Sequence, residues 1–213
     1  MIKSNTKQKA AWLLAPVFGT ILFVILYITA TFLYPGGSQT DKNSIGFSLI
    51  NNYWCNLLND VAINGRLNPA KPIALAGLII LCLTLAIFWI MFPRHINQGK
   101  AINFFIQISG ILAMAIAFLL FTNIDHDLVT NLASFFGIIA TTGTLIGLFK
   151  VKWYGLFAFG LFNFLLVGLN AFVYYDKDLI IYLPVIQKIS FASFLIWVCS
   201  IDINLYRRIT KLE

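Results

Sequence analysis

Charged side chains are scarce in this sequence. Only 11% of its 213 residues are Asp, Glu, Lys or Arg, while 60% are apolar. A soluble globular domain carries about 25% charged residues, so that class is excluded. Cysteine is equally sparse. Of the three present, Cys82 and Cys199 fall inside apolar runs and Cys55 alone lies in a polar connection, so no disulfide framework can form. Histidine occurs twice, as His95 and His126, in segments expected at opposite ends of a bundle. A three-histidine catalytic zinc, as in helical membrane hydrolases, therefore lacks its ligands. No phosphate-binding glycine loop, no exposed serine nucleophile elbow and no CxxC pair occurs, which removes support for kinase-like and redox chemistry.

What is present is length and apolarity. Six runs of about 20 apolar residues each match the hydrocarbon thickness of a bilayer. They are residues 11–34, 74–92, 101–121, 128–149, 153–175 and 184–206. The expected architecture is all-α, one membrane domain over residues 1–213 built as a bundle of six transmembrane helices. The first run follows three lysines but is too long for a signal-peptide core, so it reads as a retained anchor. Short connections make consecutive helices antiparallel neighbours. No run is interrupted by an internal proline, which counts against the broken helices of inverted-repeat transporters.

The charges sort by connection. Asp41, Asp60, Asp125, Asp127, Asp176 and Asp178 occupy alternate connections. Lys3, Lys7, Lys9, Arg94, Lys100, Lys150, Lys152, Arg207, Arg208 and Lys211 occupy the others and the termini. Cytoplasmic segments retain Lys and Arg, so both termini are expected in the cytoplasm. The same rule explains the net charge of +7 without nucleic acid, for which no basic helix is available.

One connection is long. Residues 35–73 open with Pro35-Gly36-Gly37, turn again at Asn64-Gly65 and leave through Asn68-Pro69 and Pro72. Between the turns, Phe47, Ile50, Trp54, Leu57, Leu58 and Val61 recur at helical spacing, with Ser48, Asn52, Cys55, Asn56 and Asn59 opposite. This pattern predicts an interfacial helix over residues 46–61, its asparagines facing an outer vestibule. Long structured loops in trimmed proteins are commonly functional.

Several polar residues could carry chemistry. Asp125-His126-Asp127 reads as a helix start with Asp127 as N-cap, or as part of an acidic outer mouth with Asp60 that could hold a cation or polarise a water. Lys188, about one turn into the last run, either snorkels to headgroups or joins those acids as a ligand anchor. Asp202 is expected to pair with Arg207 and Arg208. Asn103, Gln107, Asn163 and Asn170 read as interhelical hydrogen-bonders, and Gly143-x-x-x-Gly147 as a close-packing motif.

The stretch Tyr34-Pro35-Gly36-Gly37-Ser38, Gly46-Phe47-Ser48, Asn52-Tyr53-Trp54-Cys55-Asn56-Leu57-Leu58, Asn64-Gly65 and Asn68-Pro69-Ala70 resembles small six-span membrane proteins of Bacteroidetes-type bacteria. More loosely, the whole chain resembles the family called domain of unknown function 998. The resemblance implies the six-span layout, a structured first outer loop and residence in a bacterial inner membrane. It implies no activity.

Three functions compete: a protein that binds a lipid headgroup or small polar ligand in an outward pocket, a small-solute permease or channel, and a metal-assisted lipid hydrolase. The inner halves of the runs are almost wholly apolar, which disfavours a continuous polar path and favours a one-sided pocket. The expected ligand-binding residues are Asn52, Asn56, Asn59, Asp60, Asp125, His126, Asp127 and Lys188. The expected partners are membrane lipids and a small polar ligand or cation at the outer mouth. No catalytic residue, cofactor or structural metal is expected.

Overall fold

The computed structural model describes residues 11–96, 98–122 and 124–211. Six α-helices dominate: α1 (Ala15–Leu33), α2 (Lys71–His95), α3 (Lys100–Ala117), α4 (His126–Lys150), α5 (Tyr154–Tyr175) and α6 (Leu183–Lys211). Short 3-10 turns at Trp12–Leu14, Phe118–Phe121 and Ile180–Tyr182 extend α1, α3 and α6, giving six helices long and apolar enough to cross a membrane. These coincide with the six apolar runs to within a few residues at most boundaries. Pro16, Pro72 and Pro184 each stand in a first helical turn, where no N–H is missed. Pro93 sits in the last turn of α2.

Each helix packs on the next in the chain, α6 also packs on α1 and α2, and α2 is the most buried of the six. Helix α1 presents a narrow buried stripe, Pro16, Thr20, Phe23, Tyr27 and Ala30, at alternating spacings of four and three. That is the seam of a helix packed on one side only. Its other faces expose Phe18, Ile21, Ile25 and Phe32. An apolar surface this extensive requires a cover, and a bilayer supplies one.

Glycine notches set the helix spacing. A Cβ on Gly19 would lie 2.0 Å from Thr84 Oγ1, and one on Gly77 would lie 2.7 Å from the Tyr27 ring. On α3, Gly110 receives Trp89 at 2.1 Å. Gly143 and Gly147 of α4 accept Ile106 and Gln98, so the small-residue motif packs as expected. Gly160 of α5 faces both Leu145 and Trp197. Such contacts let backbones approach where lipid offers no hydrophobic drive between helices.

Between α1 and α2, residues 34–70 form a compact cap. Its two isolated antiparallel bridges join Gly36 to Ile45 and Val61 to Leu67. The helix expected over 46–61 is not there: the segment holds only a five-residue 3-10 turn, Trp54–Leu58. The cause is local competition for backbone N–H groups. Asn52 Oδ1 accepts from Ser48 N at 2.8 Å, Asn56 Oδ1 from Tyr53 N at 2.7 Å, and Ser48 Oγ from Asn51 N at 3.1 Å. Side chains that answer the backbone in this way replace helix bonds with turns. The apolar set divides accordingly: Leu57 and Leu58 are buried, whereas Ile50 and Val61 are exposed.

Candidate functional site

The asparagines of the cap are structural in geometry. Asn52 is fully buried, and its amide donates to Gly37 O at 2.8 Å. Asn68 donates to the carbonyls of Asn59 at 2.8 Å, Leu57 at 3.1 Å and Asn56 at 3.4 Å, and accepts from Ala70 N. The orientation of Asn52 and Asn56 into an open vestibule is therefore corrected: both side chains point into the cap and hold its turns. Gly37, at φ +83, permits the approach, because a Cβ there would lie 2.4 Å from Asn64 N. Tyr34 closes the base of the cap, its hydroxyl oxygen accepting from Ile63 N at 3.1 Å. Burial raises the Tyr34 hydroxyl above its ordinary value, and the Ile63 N–H offsets part of this.

Lys188 fastens the cap to the bundle. From the second turn of α6 its ammonium donates to Asn52 O and, at 2.9 Å, to Pro184 O. It stands 5.8 Å from the ring centres of both Phe47 and Trp54, within cation–π range. Phe47 stacks on Trp54, which meets Tyr27 edge-on, so the aromatic bracket continues into α1. Half-buried Cys55 lies beside it. Burial raises the Cys55 thiol above its ordinary value, and Lys188 lowers it to a smaller extent.

The acids do not join Lys188. Asp60 pairs with Lys71 at 2.5 Å. Asp125, rather than Asp127, is the N-cap of α4, its carboxylate accepting from Leu128 N at 2.7 Å. The chain becomes helical at His126, which moves the cap two residues earlier than expected and leaves Asp127 in the first turn. There Asp127 accepts from Tyr174 Oη at 2.7 Å, with His126 Nδ1 at 3.8 Å. Among the described residues no carboxylate is ion-paired with Lys188, and no three His, Cys, Asp or Glu side chains gather as metal ligands would. Convergence of Asp60, His126, Asp127 and Lys188 on one cavity is thus corrected. Each acid has a separate local partner, and Asn59 contributes a backbone carbonyl to Asn68. Two clefts on the surface, one by Trp12 and Phe18 and one between Phe105 and Ile139, are open and apolar.

Sequence reasoning missed the burial of Asp202. Its exposure is 1%, and neither carboxylate oxygen has a partner. Arg207 and Arg208 are exposed, and Arg208 lies over the Trp153 ring. Helical phase is the reason: five and six residues on, those arginines stand roughly 140° and 120° around α6 from Asp202. Of the four mid-helix polar residues expected to link helices, Gln107 and Asn170 do so, whereas Asn163 donates to Phe159 O of its own helix and Asn103 accepts from Gln98 N in the preceding connection. Gln107 donates to Ile90 O at 3.0 Å, Asn170 to Ser190 Oγ at 2.5 Å, and Trp197 to Leu156 O at 2.7 Å. No protein-family model matches this sequence, and no curated protein or solved structure matches it either.

Proposed function

We propose that the chain is a multi-pass protein of a bacterial inner membrane that binds an anionic headgroup or small polar anion at Lys188. In this reading residues 35–70 face outward and both termini face the cytoplasm. One observation carries it: Lys188 is held at the cap with no carboxylate ion-paired to it among the described residues. An ammonium has three N–H donors. Two are engaged by Asn52 O and Pro184 O, which leaves one donor for a ligand. Carbonyls and ring faces orient the group. If α6 crosses a bilayer, a residue one turn in from its start lies in reach of lipid phosphates. A phosphate there would meet a charge-assisted bond of about 1.5–3 kcal/mol.

Native mass spectrometry of the purified protein with phosphatidylglycerol and phosphatidylcholine tests this reading. The expected result is selective retention of the anionic lipid, lost in Lys188→Met and kept in Asp127→Asn. Competition by inorganic phosphate would assign the site to a free anion instead of a lipid. Equal retention of both lipids, or undiminished selectivity in Lys188→Met, would refute it.

A further inference from the structure

Asp202 is the least explained group in the molecule. It lies buried on α6, a helical turn beyond Cys199, and Cys199 sits against Thr20 of α1. Thr20 is 8% exposed with its hydroxyl turned to the Cys199 thiol, whereas both oxygens of Asp202 are buried with no hydrogen-bond partner. Around them pack wholly buried apolar side chains, among them Val198, Ile201 and Leu205. A bare carboxylate in such a place would carry a desolvation cost of many kcal/mol with nothing to offset it, and buried acids neutralise instead. Ionisable groups within membrane spans are retained where they serve a pathway or a switch.

The groups facing Asp202 narrow what can neutralise it. Cys199 is the titratable neighbour on its own helix. The elements packed on α6 are α5, α1, the Trp12–Leu14 turn and α2, and from α1 the Thr20 hydroxyl meets Cys199. Among the described residues no Lys, Arg or His side chain is ion-paired with it from any helix. The unpartnered oxygens at hand are the two of Asp202. A hard metal cation takes six or more oxygens, whereas a proton needs one.

We infer that Asp202 is an intramembrane proton-binding site on α6. In the closed bundle the carboxyl is the neutral acid, O–H intact. Parting of α6 from its neighbours admits water from the nearby helix end, to which the O–H bond gives up its proton, leaving the carboxylate hydrated. Reclosure requires that a proton be taken back. The bundle thus couples one proton to one movement of α6, independently of any ligand at Lys188.

Infrared spectroscopy of the full-length protein in lipid tests this. At pH 7.5 a protonated-carboxyl C=O band should be present in the wild type. Asp202→Asn should remove it. A hydrophobic carbodiimide, whose C=N bond adds the acid O–H with no leaving group, should attach its whole mass at Asp202, more slowly as pH rises. The wild-type spectrum decides the matter without the variant. Absence of the band at pH 7.5 overturns the inference. So does a band that appears only when sodium and potassium are withdrawn, since that assigns the site to a metal ion.

Discussion

The ammonium of Lys188 hydrogen-bonds the backbone carbonyl of Asn52, 136 residues earlier in the chain. This single bond ties the cap between α1 and α2 to the far end of the fold, and two aromatic faces hold it in place. It behaves as a latch: the cap is internally bonded, but its attachment to α6 is concentrated in one side chain.

Removing the latch should loosen the cap before the bundle. Lys188→Met is expected to cost about 1.5–3 kcal/mol, the range for a hydrogen bond to a charged group. Hydrogen exchange should accelerate in residues 47–58 with little change in α2. Lys188→Arg should be milder, because its charge and donors persist. Equal acceleration across all six helices would show that the residue supports the whole fold.

The cap's internal bonds have a different weak point. Asn68→Ala strands the carbonyls of Leu57 and Asn59 and the N–H of Ala70 at once, and should destabilise the cap by about 2–3 kcal/mol, the scale for buried polar groups left unpaired. Limited proteolysis of residues 46–66 reads the effect. Asn64→Ala loses only the exposed bond to Arg66 N and should change little.

Glycine substitutions separate notches from open sites. Gly110→Ala pushes a methyl into Trp89 and should cost about 1–3 kcal/mol as overpacking. A Cβ at Gly168 meets nothing, so Gly168→Ala should stabilise by about 0.5–1 kcal/mol through helix propensity. Thermal melts of the two variants should move in opposite directions.

The pH response of the cap follows from Cys55. Burial raises its thiol above the ordinary value of 9.0. The folded cap therefore holds the thiol proton more tightly than the unfolded chain does. That contribution is complete below the ordinary value and is lost as pH rises through the higher folded one. Alkylation of Cys55 should be slow at pH 8 and should accelerate above pH 9 more steeply than for the unfolded chain. A rate equal to that of the unfolded chain at pH 8 would contradict the burial.

Orientation is tested by an impermeant maleimide on intact spheroplasts. Gln39→Cys should label and Lys150→Cys should not until the membrane is opened. The reverse pattern would invert the proposed topology.

Much of this fold is legible in the sequence because it depends on length and composition. Six runs of bilayer length specify six helices whatever their neighbours do, and Gly143 and Gly147 announce a close approach by their smallness. The cap resisted for a physical reason. Phe47, Trp54 and Leu57 keep helical spacing, but Asn52 and Asn56 offer the backbone a competing set of bonds, and periodicity does not report that competition. Asp202 was legible in principle, since its phase on α6 turns it away from Arg207 and Arg208. The partner of Lys188 was not, because a backbone carbonyl leaves no mark on residue identity.

The glycine notches also decide where the bundle can give. Consecutive helices from α1 to α6 are keyed to each other by at least one glycine against a larger side chain. Sliding any of those pairs by a turn would drive a side chain into backbone. The contact between α6 and α1 has no such key: α6 contains no glycine, and Gly19 of α1 is turned toward Thr84 of α2. The contact of α1 with α6, the helix that carries Asp202, is thus a place where no glycine notch resists a sliding helix.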